Sequence, residues 1–237
     1  MLVAERFDYD STDWRFVSRI LDENSRRLSR TRAGASDTGS SALKQPLLVS
    51  GDELRARAAA NEHHVHEFIH ATQWSKAPAS PEAVRTLLFA ISDLTNEGLL
   101  PAGRFRTWPI GAHQPSATAA AAVSGPEAKV PPEEIPAAVD AFCATVHARW
   151  PELADDPVPL AAWAEWQLNG GPLHPFYDGC GRIARSFGAT LLIHGSRLLP
   201  LYDSATEYFR HGNAGTEAFA GYVRGRIAAC AAWLTPR

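Results

Sequence analysis

Hydrophobic residues recur at intervals of three and four positions along most of the chain, and this spacing predicts a mainly α-helical protein. Boundary signals support the pattern: Ser80, Pro81 and Glu82 supply an N-cap, a proline at the first helical position and an acid in the first turn. We see no internal repeat and no heptad run. The predicted helices cover about 14–28, 50–72, 80–96, 132–150, 159–169, 182–194 and 216–234.

One segment departs from the helical pattern. Residues 104–108 have strand character, and Gly111 permits a turn shortly after them. We therefore predict a β-hairpin within 103–115, followed by a loop over 116–130 that is rich in alanine, serine and proline.

Composition narrows the class of protein. The 237 residues include 23 Lys and Arg against 26 Asp and Glu, and a net charge of -3 argues against a general nucleic-acid binder. Cys143, Cys180 and Cys230 show neither a disulfide framework nor a metal-finger spacing, which favours a reduced compartment. The sequence shows no membrane span and no signal peptide at its start, so we expect a cytoplasmic protein that binds no membrane.

The residues suited to chemistry converge on 171–185. A glycine-flanked turn there leads directly into an apolar helix, so several backbone N–H groups point outward where the helix dipole favours anions. Gly179 and Gly181 allow a ligand to approach the backbone closely. Arg182 and Arg185 are three residues apart and lie over the same end of the helix. The segment therefore suits a polyphosphate.

Two further side chains extend this site. Asp178 offers a hard oxygen ligand, and one carboxylate with phosphate oxygens and waters is the usual protein share of a Mg²⁺ site. His174 lies four residues earlier and in its neutral form can take a proton from a hydroxyl. Together these groups describe transfer from a Mg-nucleotide. The site is not a P-loop, because no Gly-Lys-Ser or Gly-Lys-Thr follows the turn.

The run His-Pro-Phe-Tyr-Asp-Gly-Cys-Gly-Arg-Ile-Ala-Arg over 174–185 resembles the signature of the Fic family, His-x-Phe-x-Asp/Glu-Gly-Asn-Gly-Arg-x-x-Arg. The resemblance covers roughly residues 80–237. It implies a Fic-type helical bundle with a small β-hairpin flap. We expect a Fic core domain over 77–237 and an N-terminal helical extension over 1–76.

The resemblance also implies a reaction. Fic enzymes usually transfer AMP from ATP to a Tyr, Thr or Ser hydroxyl, so this chain is expected to be a nucleotidyltransferase that uses Mg²⁺ and a target protein. His174 would be the general base, Phe176 a core residue and Asp178 the Mg²⁺ ligand. Phosphates would bind Gly179, Cys180, Gly181, Arg182 and Arg185, and the target would dock on flap residues Thr107, Trp108, Ile110 and His113.

Two features qualify the match. Cys180 stands where the family has asparagine, whose side chain usually helps to position the transferred phosphate. A thiol at a helix N-terminus can also have a lowered pKa and be open to oxidation.

Many Fic proteins carry an inhibitory glutamate on a separate helix, and Glu62 on the predicted helix 50–72 is the better candidate by placement; Glu97 is more simply the acid before a glycine helix stop.

Other functions stay open at this stage. The chain can be a nucleotide-binding regulatory module with little catalysis, a reading that Cys180 motivates. It can also be a Fic-type transferase that uses another donor or a small-molecule acceptor. The sequence does not give the target or the oligomeric state.

Overall fold

The structure is a computed structural model and describes residues 7–9, 14–29, 48, 49, 51–72, 77–100, 105–107 and 129–234. Helices dominate these residues, as the spacing predicted, and β-structure among them is limited to one bridge between Phe105 and Phe176. The α-helices are α1 (Trp14–Ser29), α2 (Gly51–Ala71), α3 (Pro81–Thr95), α4 (Ile135–Arg149), α5 (Val158–Asn169), α6 (Cys180–His194), α7 (Ala205–Asn213) and α8 (Thr216–Leu234). Short 3-10 turns, Pro132–Glu134 and Trp150–Ala154, flank α4.

Serine caps set the start of two helices. The Ser80 side chain accepts a hydrogen bond from the backbone N–H of Ala83 at 3.3 Å, which confirms the predicted start of α3. The Ser204 side chain accepts from the backbone N–H of Glu207 at 3.3 Å and starts α7, a helix that the spacing did not predict.

The α5–α6 pair forms the centre of the core and makes the most extensive helix contact in the described structure. Leu160, Ala164 and Leu168 of α5 are fully buried, as are Ile183 and Phe187 of α6. Helix α3 packs on α6 and on α4, while α8 packs on α5. Because α6 is central, its first turn lies beside the ends of α3 and α5.

The N-terminal helices pack on this same core. Val17 and Ile20 of α1, and Val65 and Ile69 of α2, belong to the buried cluster that also contains the α5 and α6 side chains. Helix α2 contacts both α3 and α6. One hydrophobic core therefore joins the segment before residue 77 to the segment after it.

One local expectation needs correction. Helix α6 begins at Cys180, two residues before the predicted start, so the glycine turn is shorter than expected. The hairpin predicted within 103–115 lies mostly outside the described residues; 105–107 are described, and Phe105 forms a β-bridge with Phe176. Over the described ranges, none of the helices has the length and apolar character that crossing a membrane requires.

Candidate active site

A loop between α5 and α6 carries His174 in an unusual backbone conformation. Its φ of +31° lies in the left-handed region, which costs about 1–3 kcal/mol for a residue other than glycine. The backbone N–H of His174 donates to the carbonyl of Gln167 at 3.0 Å. Strain of this kind persists only where surrounding contacts determine the conformation. Arg106 provides further contacts to this loop.

Arg106 is buried, with only 1% of its surface exposed, and it is hydrogen-bonded to this loop. Its Nε donates to the His174 carbonyl at 2.8 Å, and its Nη2 donates to the Val130 carbonyl. Its backbone N–H donates to the carbonyl of Pro175 at 3.0 Å. A guanidinium can satisfy several carbonyls at once because its donors point along different fixed directions. Arg106 was expected in a hairpin strand, and the sequence did not single it out as part of the site.

The imidazole of His174 is held in one tautomer. Its Nδ1 is hydrogen-bonded to the backbone carbonyl of Asn169, and because a carbonyl only accepts, Nδ1 carries the proton. In a neutral ring Nε2 is then the basic nitrogen. Burial, chiefly, lowers the pKa of His174 to about 4, and the charges of Lys129 and Arg106 act in the same direction. The ring is therefore neutral at pH 7.

Helix α6 starts on a glycine that has no room for a side chain. Gly179 has φ +75°, and a Cβ there would come within 3.0 Å of Asn96 Oδ1 and 3.1 Å of Thr95 Cγ2. The Asn96 amide donates to the carbonyl of Asp178 at 3.4 Å, so the end of α3 supports this turn. The first N–H groups of α6 lie just beyond it, and a helix N-terminus of this kind favours an anion.

Two arginines and one carboxylate surround the first turn of α6. Arg182 Nη2 lies 3.5 Å from Asp178 Oδ2, and Arg182 Nη1 lies 3.5 Å from the Thr95 carbonyl. Arg185 Nη1 lies 3.1 Å from the position that a Cβ of Gly181 would take. Both guanidinium groups therefore lie close to the first turn of α6.

The residues present fit a magnesium ion bound together with a polyphosphate. The Asp178 side chain is 25% exposed and offers the hard oxygen that Mg²⁺ prefers. Across the described ranges there is no group of three or more His, Cys, Asp or Glu side chains placed to hold a metal. A Mg²⁺ ion held by Asp178 alone would complete its shell with phosphate oxygens and water.

Cys180 points into the protein. Its Sγ donates to the carbonyl of Phe176 at 3.4 Å, and only 5% of the residue is exposed. Burial raises the pKa of the thiol to about 12. The suggestion from the sequence that this pKa can be lowered at the helix N-terminus is therefore wrong. Desolvation outweighs the helix dipole here. The Cys180 side chain is therefore directed away from the outer surface of the turn.

Glu62 lies on α2, away from the motif loop, but it faces the same interior space as one of the arginines. With Arg185 and His66 it lines a cavity of about 20 Å³. The Glu62 carboxylate accepts a hydrogen bond from the Ser25 hydroxyl of α1. The first two helices thus bring Glu62 to a cavity that Arg185, Ser186 and Ala189 of α6 also line.

Of the four flap residues named above, Thr107 is described and is exposed. The other three, Trp108, Ile110 and His113, lie outside the described residues.

Solved structures share this arrangement of helices. The chain aligns over 92% of its length with a Fic domain containing signaling protein from Bacteroides thetaiotaomicron VPI-5482, at TM-score 0.58 and 19% identity, and covers 86% of that chain. It aligns over 94% of its length with a Fic family protein from Desulfovibrio desulfuricans G20, at TM-score 0.59 and 14% identity, and covers 68% of that chain. The fold is that of Fic-domain proteins.

A third structure carries the same likeness. The chain aligns with Fic-1 from C. elegans at TM-score 0.59 and 17% identity, over 94% of this chain and 63% of that one. Neither a protein-family model nor a curated protein matches the sequence. The structural likeness confirms the predicted Fic-type helical bundle.

Proposed function

We propose that this Fic-fold protein is a nucleotidyltransferase that moves AMP from Mg-ATP to a Tyr, Thr or Ser hydroxyl of a target protein. One observation carries the proposal: a neutral histidine with a basic Nε2 is held beside a glycine-started helix N-terminus that two arginines flank. A proton acceptor next to an anion site is what attack by a hydroxyl on a nucleotide phosphate requires.

The chain's own groups divide the reaction between them. Backbone N–H groups of residues 180–182 and the guanidinium groups of Arg182 and Arg185 would bind the phosphates, and Asp178 would hold Mg²⁺, which neutralises phosphate charge when bound. His174 Nε2 would take the proton of the target hydroxyl. The hydroxyl oxygen then forms a bond to the α-phosphorus, the bond to the β-phosphate oxygen breaks, and pyrophosphate leaves.

We further propose that Glu62 restrains this activity. Its carboxylate shares a small cavity with Arg185, and Ser25 holds it there. An arginine that neutralises Glu62 is less available to an outer phosphate, because one guanidinium would serve two anions.

Intact mass after incubation with Mg-ATP tests the function without knowledge of the target, since Fic-type enzymes often modify themselves. We expect wild type to gain little, Glu62→Gly to gain one AMP, and Glu62→Gly/His174→Ala to lose about 10²–10⁴-fold in rate. Glu67→Gly is the matched control, because it places the same substitution on an exposed position of α2. A rate in Glu62→Gly/His174→Ala equal to that of Glu62→Gly would refute the assignment of the base.

A binding module with little catalysis is a second candidate, favoured by the inward Cys180 thiol. It predicts that ATP binds in calorimetry while no variant gains mass, and that Cys180→Asn gives no turnover. Turnover by the unmodified chain would remove it. Radiolabel from α-labelled ATP, set against γ-labelled ATP, shows which phosphate is transferred.

A further inference from the structure

A buried carboxylate outside the motif lies under the candidate active site. Glu165 of α5 is only 3% exposed. Tyr202 Oη donates to its Oε2 at 2.9 Å, and Tyr208 Oη of α7 donates to its Oε1 at 2.7 Å. Burial and the neighbouring carboxylate raise the pKa of both phenols well above the ordinary value, so the hydroxyls remain donors. No step of the proposed transfer uses this cluster directly.

The cluster continues to the residue that holds the candidate base. Asn169 ends α5 and is 5% exposed. Its Nδ2 donates to Tyr208 Oη at 3.3 Å, while its backbone carbonyl accepts the Nδ1 proton of His174. Hydrogen bonds thus connect Glu165 through Tyr208 to the Asn169 side chain, and the backbone carbonyl of the same asparagine bonds to His174.

Asn169 also touches the phosphate side of the site. Its Oδ1 lies 3.4 Å from the position of a Gly181 Cβ, and Arg185 Nη1 lies 3.1 Å from that same position. Burial raises the pKa of Glu165, whereas the hydrogen bonds from Tyr208 and Tyr202 and the charge of Arg185 oppose the rise. Asn169 therefore contacts His174 through its backbone carbonyl, while its amide oxygen lies close to Gly181, a residue expected to bind phosphate.

We propose that Asn169 and Tyr208 are positioning residues that hold His174 in the tautomer able to act as a base. The assignment of a tautomer rests on geometry alone, and its catalytic meaning rests on the proposed function. The Asn169 carbonyl selects the Nδ1–H form only while it stays in place. Its position depends on the side-chain amide of the same residue, which Tyr208 anchors to Glu165.

The other tautomer explains why this anchor matters. With its proton on Nε2 and its lone pair on Nδ1, the ring would present a donor to the target hydroxyl and could not accept its proton. The loss of the correct tautomer of a catalytic histidine removes most of the general-base contribution.

Phenylalanine substitutions of the two tyrosines that bond to the Glu165 carboxylate give a matched test. Tyr208→Phe removes the hydroxyl that bonds both Asn169 and Glu165, and Tyr202→Phe removes the hydroxyl on the other carboxylate oxygen. The readout is ¹⁵N NMR of histidine-labelled protein at pH 7, with the His174 signal assigned through His174→Gln. It reports which ring nitrogen carries the proton and needs no nucleotide.

We expect the Nδ1–H form in wild type and in Tyr202→Phe, and a mixture of both tautomers in Tyr208→Phe. In a Glu62→Gly background we expect Tyr208→Phe to lower kcat roughly tenfold or more, with little change in KM for ATP, because the base and not the phosphate site is disturbed. If Tyr208→Phe folds poorly, Asn169→Leu serves in its place, because leucine has a similar size but lacks the amide. We expect it to reproduce both effects.

A pure Nδ1–H form of His174 in both Tyr208→Phe and Asn169→Leu would overturn the proposal. The same mixture of tautomers in Tyr202→Phe as in Tyr208→Phe would also overturn it. The outcome is separable from that of the proposed function. If no nucleotide is transferred by any variant but the tautomer shifts as expected, the positioning role stands and the transferase assignment falls.

Discussion

At the scale of single residues, Arg106 contacts the backbone that carries the candidate base. It is buried, and it donates to the carbonyls of His174 and Val130. A lysine keeps the charge but lacks the planar fork, so at least one carbonyl loses its donor.

We expect Arg106→Lys to lower the free energy of unfolding by about 1–3 kcal/mol, the cost of an unsatisfied buried group. We also expect it to slow self-modification about tenfold to a hundredfold, because the base would be displaced. Urea unfolding and intact mass measure the two effects. Arg224→Lys, at an exposed ion pair with Asp156, is the control and should change neither. Equal behaviour of the two variants would contradict the role given to Arg106.

Cys180 makes a second prediction at this scale, because its thiol is buried and its pKa is raised to about 12. We expect iodoacetamide at pH 8 to leave Cys180 unmodified in the native protein and to modify it rapidly in urea. Cys143 and Cys230 are also free and buried, with pKa values raised to about 12, and serve as internal references. Selective native labelling of Cys180 in peptide mass spectra would show that the loop opens to solvent.

At the scale of elements, the function proposed here depends on how α6 begins. Gly179 is in the left-handed conformation and is enclosed by the Thr95 and Asn96 side chains at the end of α3. The direction of the first N–H groups of α6 is therefore set jointly by the turn and by a helix distant in sequence.

For Gly179→Ala we expect a loss of about 1–2 kcal/mol from the left-handed conformation alone, with further loss from the short contacts. ATP binding, measured by calorimetry, should weaken strongly. Gly221→Ala in α8 is the matched control: a Cβ there meets nothing within 4 Å, and helix propensity predicts a gain of about 0.5–1 kcal/mol. Unchanged ATP affinity in Gly179→Ala would argue against an anion site at this turn.

At the scale of the whole molecule, the buried His66 and the partly buried His174 link stability to pH. Burial lowers the pKa of His174 and of His66 to about 4; for His66 the charge of Asp22 opposes the shift and that of His63 adds to it. In the unfolded chain a histidine titrates near 6.5. Between pH 6.5 and 4 the unfolded chain therefore binds more protons, so the free energy of unfolding falls as pH falls through this range.

Each histidine should contribute a slope of up to about 1.4 kcal/mol per pH unit within that window. We expect His66→Leu to remove about one proton from the pH dependence of urea unfolding between pH 6 and 5. His64→Leu, at an exposed position of the same helix, should leave the slope as in wild type. Parallel curves for all three proteins would mean that His66 titrates normally in the folded chain.

The N-terminal helices α1 and α2 contribute to the hydrophobic core that supports the candidate site. Side chains of α1 and α2 are buried with those of α5 and α6, so the predicted N-terminal extension contributes to the core that supports the motif. The cavity shared by Glu62 and Arg185 exists only because α2 packs against α6. Any restraint by Glu62 is thus a property of the packed bundle.

The amino-acid sequence by itself determined most helices and the composition of the candidate anion site. Helices follow from local spacing, since one face of each must be apolar, and the start of α3 follows from a cap within four residues. His174, Asp178, Arg182 and Arg185 lie within twelve consecutive positions, so a short loop and one helix bring them together. Helix α7 was also within reach, because Ser204 and Glu207 match a capping box.

Only the tertiary structure decided what is buried and which distant residues meet. Local pattern does not distinguish the buried His66 from the exposed His64, nor does it show that Cys180 turns inward. Arg106 and Glu165 read as ordinary charged positions, yet both are enclosed. Burial depends on contacts between segments tens of residues apart, and those contacts set the tautomer of His174, the pKa of each buried group and the surroundings of Arg185.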